Sequence, residues 1–213
     1  MIPQGLARRP LLLLAAGVAA LAATVGAAAA LGMHRQAPTA RLILRAPVQF
    51  AAGARPAPDF HLRDLGPAGG ALSLSSLRGR VVLVTFLDSR CTKLCPIVGH
   101  ELAAVERRLP ASSRPVLVAV SVNPADSPAS VARAVRRYGW IGAWHWAGGG
   151  HAGLAPVWKR YGIQVEPTSN DIAHGEAVYV IDRRGDERAG YVPPFPPGQL
   201  AADVRTLSEG RDA

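Results

Sequence analysis

The chain has 213 residues, 24 Lys+Arg against 15 Asp+Glu, and two cysteines. That length accommodates one globular domain and an appendage. The basic excess is nearly all arginine, with lysine only at Lys93 and Lys159, and no basic tract is interleaved with aromatics, which argues against nucleic acid as a partner.

Residues 1–10 carry Arg8 and Arg9 and are expected on the cytoplasmic side. Leu11 to Met33 has no charge and Thr24 as its one polar residue. A run of about 23 residues suffices to cross a bilayer. Arginines before it and a large domain after it predict a single-pass protein of the inner (cytoplasmic) membrane, its domain facing the periplasm or the outside. The competing expectation is a cleaved signal peptide, since Ala27-Ala28-Ala29 resembles a cleavage site. Residues 34–57 are expected to be a tether broken by Pro38, Pro47 and Pro56, with short edge strands at Arg41 to Arg45 and Val48 to Phe50. The domain is expected to span 58–213.

Within it, Phe60 and Leu62 alternate as in a strand, and Gly66-Pro67 and Gly69-Gly70 mark a turn. Val81 to Leu87 and Val116 to Val122 are unbroken apolar runs of strand length, the pattern of strands buried on both faces of a parallel sheet. A helix is predicted from Pro96 to Leu109, with Val98, Leu102, Val105 and Leu109 on one face. Ser127 and Pro128 are the N-cap and first residue of another helix, through Tyr138. Trp140 to Trp146 is aromatic-rich, Ala152 to Tyr161 is a helix, and Gly162 to Asn170 is irregular. Ala177 to Asp182 and Arg188 to Val192 form strands around the turn Arg183-Arg184-Gly185-Asp186, and Pro197 to Ser208 is a terminal helix. The order implies an α/β sandwich, and a cysteine pair after the first buried strand matches the thioredoxin arrangement.

Chemistry concentrates at Asp88-Ser89-Arg90-Cys91-Thr92-Lys93-Leu94-Cys95-Pro96. Thiols near a helix N-terminus favour thiolate, the form that attacks disulfides and binds metals. Outside the cytoplasm two cysteines usually mean a structural disulfide. A bridge across so short a loop removes little unfolded-state freedom, which favours a redox or metal role. Spaced i, i+4, Cys91 and Cys95 can oxidise together or hold one soft ion such as Cu(I) or Zn. Any further ligands must come from histidines. His34 and His61 are expected at the surface, His100 is turned off the Cys side, and His145 and His151 flank a glycine loop beside aromatics. His174 lies in the loop before the Ala177 strand, which faces the Cys loop in a thioredoxin-like sheet and where thioredoxins commonly carry a cis-proline. Pro167 comes too early for that place. Cys91, Cys95 and His174 would make an S₂N site suited to Cu(I).

The stretch Thr85 to Pro96, with a distal histidine before Val178-Tyr179-Val180-Ile181-Asp182, resembles the Sco/SenC family, as do Val120-Ser121-Val122-Asn123-Pro124 and Tyr161-Gly162-Ile163. The resemblance covers roughly Asp59 to Leu207. It implies a membrane-anchored, thioredoxin-like Sco domain with Cys91, Cys95 and His174 as ligands of copper, Cu(I) or Cu(II). It also implies a metallochaperone role, delivering copper to the binuclear copper site of cytochrome c oxidase subunit II. Thr92 stands where the family often has Pro, Ala173 where an Asp commonly precedes the histidine (Asp171 lies two further back), and Asn123 where Asp is usual. The alternative is a thiol–disulfide oxidoreductase using Cys91 and Cys95 as its redox pair.

Overall fold

The computed structural model describes residues 44–168 and 171–210. The expected anchor or signal peptide at 11–33 lies outside the described residues; among those described, no helix is long and apolar enough to cross a membrane.

Among the described residues, ten strands and four α-helices follow in chain order. Strands β1 (Val48–Gln49), β2 (His61–Asp64) and β3 (Ala71–Ser73) precede a 3₁₀ turn at Leu74–Leu77. Then come β4 (Val82–Leu87), α1 (Leu94–Arg107), β5 (Val116–Ser121), α2 (Pro128–Tyr138), β6 (Trp144–Gly148) and α3 (His151–Arg160). A small hairpin, β7 (Val165–Pro167) and β8 (Ile172–His174), leads to β9 (Val178–Ile181), β10 (Glu187–Tyr191) and α4 (Pro197–Ser208). The main sheet has the order β1-β10-β9-β4-β5-β6-β2-β3, and β7-β8 form a separate pair. Strands β4, β5 and β6 run parallel, with Val82 opposite Val116 and Leu117 opposite Trp144. Strand β9 closes antiparallel on β4.

The unbroken apolar runs have the cause expected of them. On β4, Val82, Val84 and Phe86 join Val116, Val118 and Val120 in one cluster, capped by Leu154, Val157 and Trp158 of α3. Leu83 and Leu87 point the other way, into a cluster with Val98 and Leu102 of α1, Val131 and Ala134 of α2, and Leu200 and Val204 of α4. A strand covered on both faces needs apolar residues at both parities. Thr85 interrupts the run usefully, its hydroxyl donating to the Ala177 carbonyl at 3.0 Å and tying β9 to β4.

Several boundaries differ from expectation. Helix α1 begins at Leu94, so Pro96 is its third residue, still in the first turn where a missing N–H is no loss. Residues 44–57 are part of the fold rather than a tether. Leu44 and Ala46 are buried, and the Arg45 and Ala46 amides donate to Asp203 of α4 at 2.7 and 3.1 Å. β1 pairs with β10, and Pro56 bridges Asp186. The aromatic stretch ends in a parallel strand, β6, and the segment expected to be irregular holds β7. Ser127 caps α2 reciprocally with Ser130, ahead of Pro128, as predicted.

Candidate metal centre

The Cys loop leaves the buried end of β4 and is shaped by polar side chains beneath it. Asp88 accepts from the Arg90 amide at 2.8 Å and from Asn123 Nδ2 at 3.2 Å. Asn123, where the family usually has Asp, therefore donates to a carboxylate that a second Asp would repel. The Ser89 hydroxyl donates to Asp126, which also accepts from Ser121 and, at 3.2 Å, from Trp146 Nε1. Burial raises the Asp126 carboxyl above its ordinary range despite these donors.

The chain then turns into α1. Lys93 stands at the N-cap but makes no side-chain cap. The sulfur of Cys91 does that work: it accepts from Cys95 and from the amides of Cys95, Lys93 and Leu94, and its pKa is brought down to about 5. Free helix-terminal N–H groups favour an anion. Cys95 is fully buried, at 0% exposure. Its proton serves Cys91, and burial adds to that, so its thiol is pushed far up. The pair is thus one thiolate, on half-exposed Cys91, and one buried thiol; both cysteines are free.

His174 comes from the small hairpin. It sits on β8 opposite Val165, and the Gly175 amide donates to the Gln164 carbonyl at 3.0 Å. Its Nδ1 lies 3.0 Å from the Gly175 carbonyl, a contact that orients the ring with Nε2 inward. Nε2 lies 3.8 Å from Cys95 Sγ. Lys93 pairs with Asp171 at 3.0 Å, joining the Cys loop to the hairpin across the site. Asp171, two residues back from the place where the family carries its Asp, thus holds the hairpin rather than the imidazole.

The other histidines lie elsewhere. His100 is exposed, its ring 6.4 Å from that of Tyr138. His145 pairs with Asp64 at 2.7 Å, His151 stacks edge-on to Trp158, and His61 is exposed; His34 lies outside the described residues. Among the described residues the cis peptide bond is Pro193-Pro194, away from His174.

One residue at the site escaped the sequence reading. Glu176 Oε1 lies 3.6 Å from His174 Nε2, and the two side chains are 11% and 5% exposed. Burial raises the Glu176 carboxyl, opposed by His174. Its other oxygen, Oε2, is buried with no hydrogen-bond partner. A carboxylate oxygen, Cys95 Sγ and His174 Nε2 all lie within 4.8 Å of one another. Of the expected ligands, Cys95 and His174 fall in this cluster and Cys91 does not, its thiolate standing beside it on the Cys95 thiol. Soft sulfur, a borderline imidazole and an orphaned buried oxygen suit a transition-metal ion.

A dithiol at a strand-to-helix turn, faced by a histidine from the hairpin before the next strand, defines a thiol-and-imidazole site on a thioredoxin-like fold. The profile of the SCO1/SenC family matches residues 51–209, and the chain belongs to that family. Comparison with curated proteins gives no match. Among solved structures, Bradyrhizobium japonicum ScoI with copper bound is 25% identical, at a TM-score of 0.60 over 72% of this chain and 99% of that one. Arabidopsis thaliana ScoI with copper bound is 18% identical, at a TM-score of 0.63 over 72% and 98%. BsSco is described as having a disulfide switch and as a member of the Sco family of cytochrome c oxidase assembly proteins. It is 20% identical, at a TM-score of 0.60 over 72% and 94%.

Proposed function

We propose that this protein is a copper metallochaperone of cytochrome c oxidase assembly, anchored in the membrane by residues 11–33. It holds copper through Cys91, Cys95 and His174 and passes it to the binuclear copper site of oxidase subunit II. The observation that carries the reading is His174 Nε2 at 3.8 Å from Cys95 Sγ, with Cys91 hydrogen-bonded to the same sulfur. Two sulfurs and one imidazole nitrogen satisfy Cu(I), which prefers few, soft ligands. The copper-bound relatives support the choice of ion. Copper is cargo here, and the half-exposed Cys91 gives an acceptor's ligands a place to begin displacing the donor's.

The test is Cu(I) competition against a chelator. One copper per reduced chain is expected, lost when the thiols are alkylated. His174→Ala should weaken affinity at least about tenfold, as loss of a metal-site partner typically does, while leaving the thiols able to form a disulfide. Equal affinity in the two proteins would remove His174 from the site.

A second reading, thiol–disulfide oxidoreductase, is favoured by the same Cys91 thiolate, accessible and backed by a resolving thiol. Fast turnover of disulfide substrates by a chain that takes up no copper would select it.

A further inference from the structure

Glu176 does not behave as a surface glutamate. It follows His174 by two residues and turns back over the site instead of outward. One oxygen approaches the imidazole nitrogen at 3.6 Å. The other is buried without a partner. Native proteins seldom leave a buried carboxylate oxygen unmatched unless something else uses it. The contact with His174 accounts for Oε1 alone.

The distances suggest the user. Donors held at 2.0–2.3 Å around a tetrahedral ion stand about 3.3–3.8 Å apart. Cys95 Sγ to His174 Nε2 is 3.8 Å and His174 Nε2 to Glu176 Oε1 is 3.6 Å. The remaining edge of the triangle is within 4.8 Å, which a side-chain torsion closes.

We propose that Glu176 is a fourth donor, which turns the S₂N site into a four-coordinate S₂NO site able to hold a divalent transition ion. Its occupant in the function above is Cu(II), so the identity of the ion rests on that reading. The oxygen discriminates by charge and by softness. A monovalent, soft Cu(I) is satisfied by two sulfurs and a nitrogen, and a further anionic oxygen adds little. A divalent ion gains both a ligand and a neutralising charge. A carboxylate that merely oriented the imidazole would strengthen both ions alike.

The test compares the full-length reduced chain with Glu176→Gln, which keeps the shape and removes the charge, and with Glu176→Ala. Co(II) serves as the divalent probe because it does not oxidise thiols. The wild type should show the intense visible bands of four-coordinate Co(II) with thiolate charge transfer. Both variants should bind Co(II) at least about tenfold more weakly with altered bands, and Cu(I) within about threefold of wild type. Unchanged Co(II) spectra and affinity, or an equal loss for both ions, overturns the proposal. If Co(II) binding depends on Glu176 but wild type takes no Cu(I), the fourth donor stands and the copper reading falls. If wild type takes Cu(I) while Co(II) binding ignores Glu176, the copper reading stands and the donor falls.

Discussion

Cys91 owes its character to where its sulfur sits, not to neighbouring basic side chains. It occupies the place of a helix cap and also accepts a hydrogen bond from the Cys95 thiol, the larger of the two effects. A thiol lowered from its ordinary 9.0 to about 5 is ionised above that pH and loses its charge below it. Alkylation of Cys91 by iodoacetamide should therefore run at a constant rate from pH 6 to 8 and fall about tenfold per unit below 5. In Cys95→Ala the midpoint should climb back toward that of a free cysteine; a midpoint already near 8.5 in the wild type would remove the Cys95 contact. Cys91, Cys95 and His174, proposed above as the ligands, were singled out by spacing and by position before a strand, and the structure brings Cys95 and His174 within 3.8 Å. Glu176 was not. A glutamate in a polar loop has no periodic signal, and its burial depends on the hairpin that folds over it.

At the scale of elements, α1 and α2 meet at Gly99. A Cβ there would collide with Tyr138 Cγ and stand 2.6 Å from both Cδ atoms. The tyrosine cannot retreat, being 1% exposed and packed on Trp140. Gly99→Ala should destabilise the protein by about 1–3 kcal/mol, the usual penalty of overpacking, read as a lower urea midpoint. Because α1 also carries Cys95, the same variant should disturb Cys91 reactivity; an unchanged midpoint and an unchanged alkylation profile would show that the helices part freely. The long elements were legible, since buried parallel strands and capped helices leave clear patterns. β7 and β8 were not, because three residues each are too few for an alternation to stand out. β6 was hidden by its tryptophans, which suggested packing without a direction.

At the scale of the whole molecule, buried phenols couple the fold to alkaline pH. Burial raises the hydroxyls of Tyr138, Tyr161 and Tyr191 above their ordinary 10.0. Tyr191 also donates to Asp203 at 2.6 Å, the carboxylate that clasps residues 45 and 46. A folded pKa above the unfolded value gives stability that is complete below pH 10 and is lost as pH rises through the folded value. Each such tyrosine steepens the loss by about 1.4 kcal/mol per pH unit. Unfolding midpoints should hold level from pH 7 to 9 and drop sharply above 10, in step with phenolate absorbance; phenolate formation without unfolding would contradict the burial.

The unequal depth of the two sulfurs makes the site a turnstile. Cys95 is sealed under the Cys loop at 0% exposure, while Cys91 is half open. A visiting thiol or metal-loaded ligand meets Cys91 before Cys95, because of the two sulfurs it is Cys91 that reaches solvent. The visitor is then released outward, whether what changes hands is a metal ion or a pair of electrons. Direction of travel is set by the fold before any partner arrives.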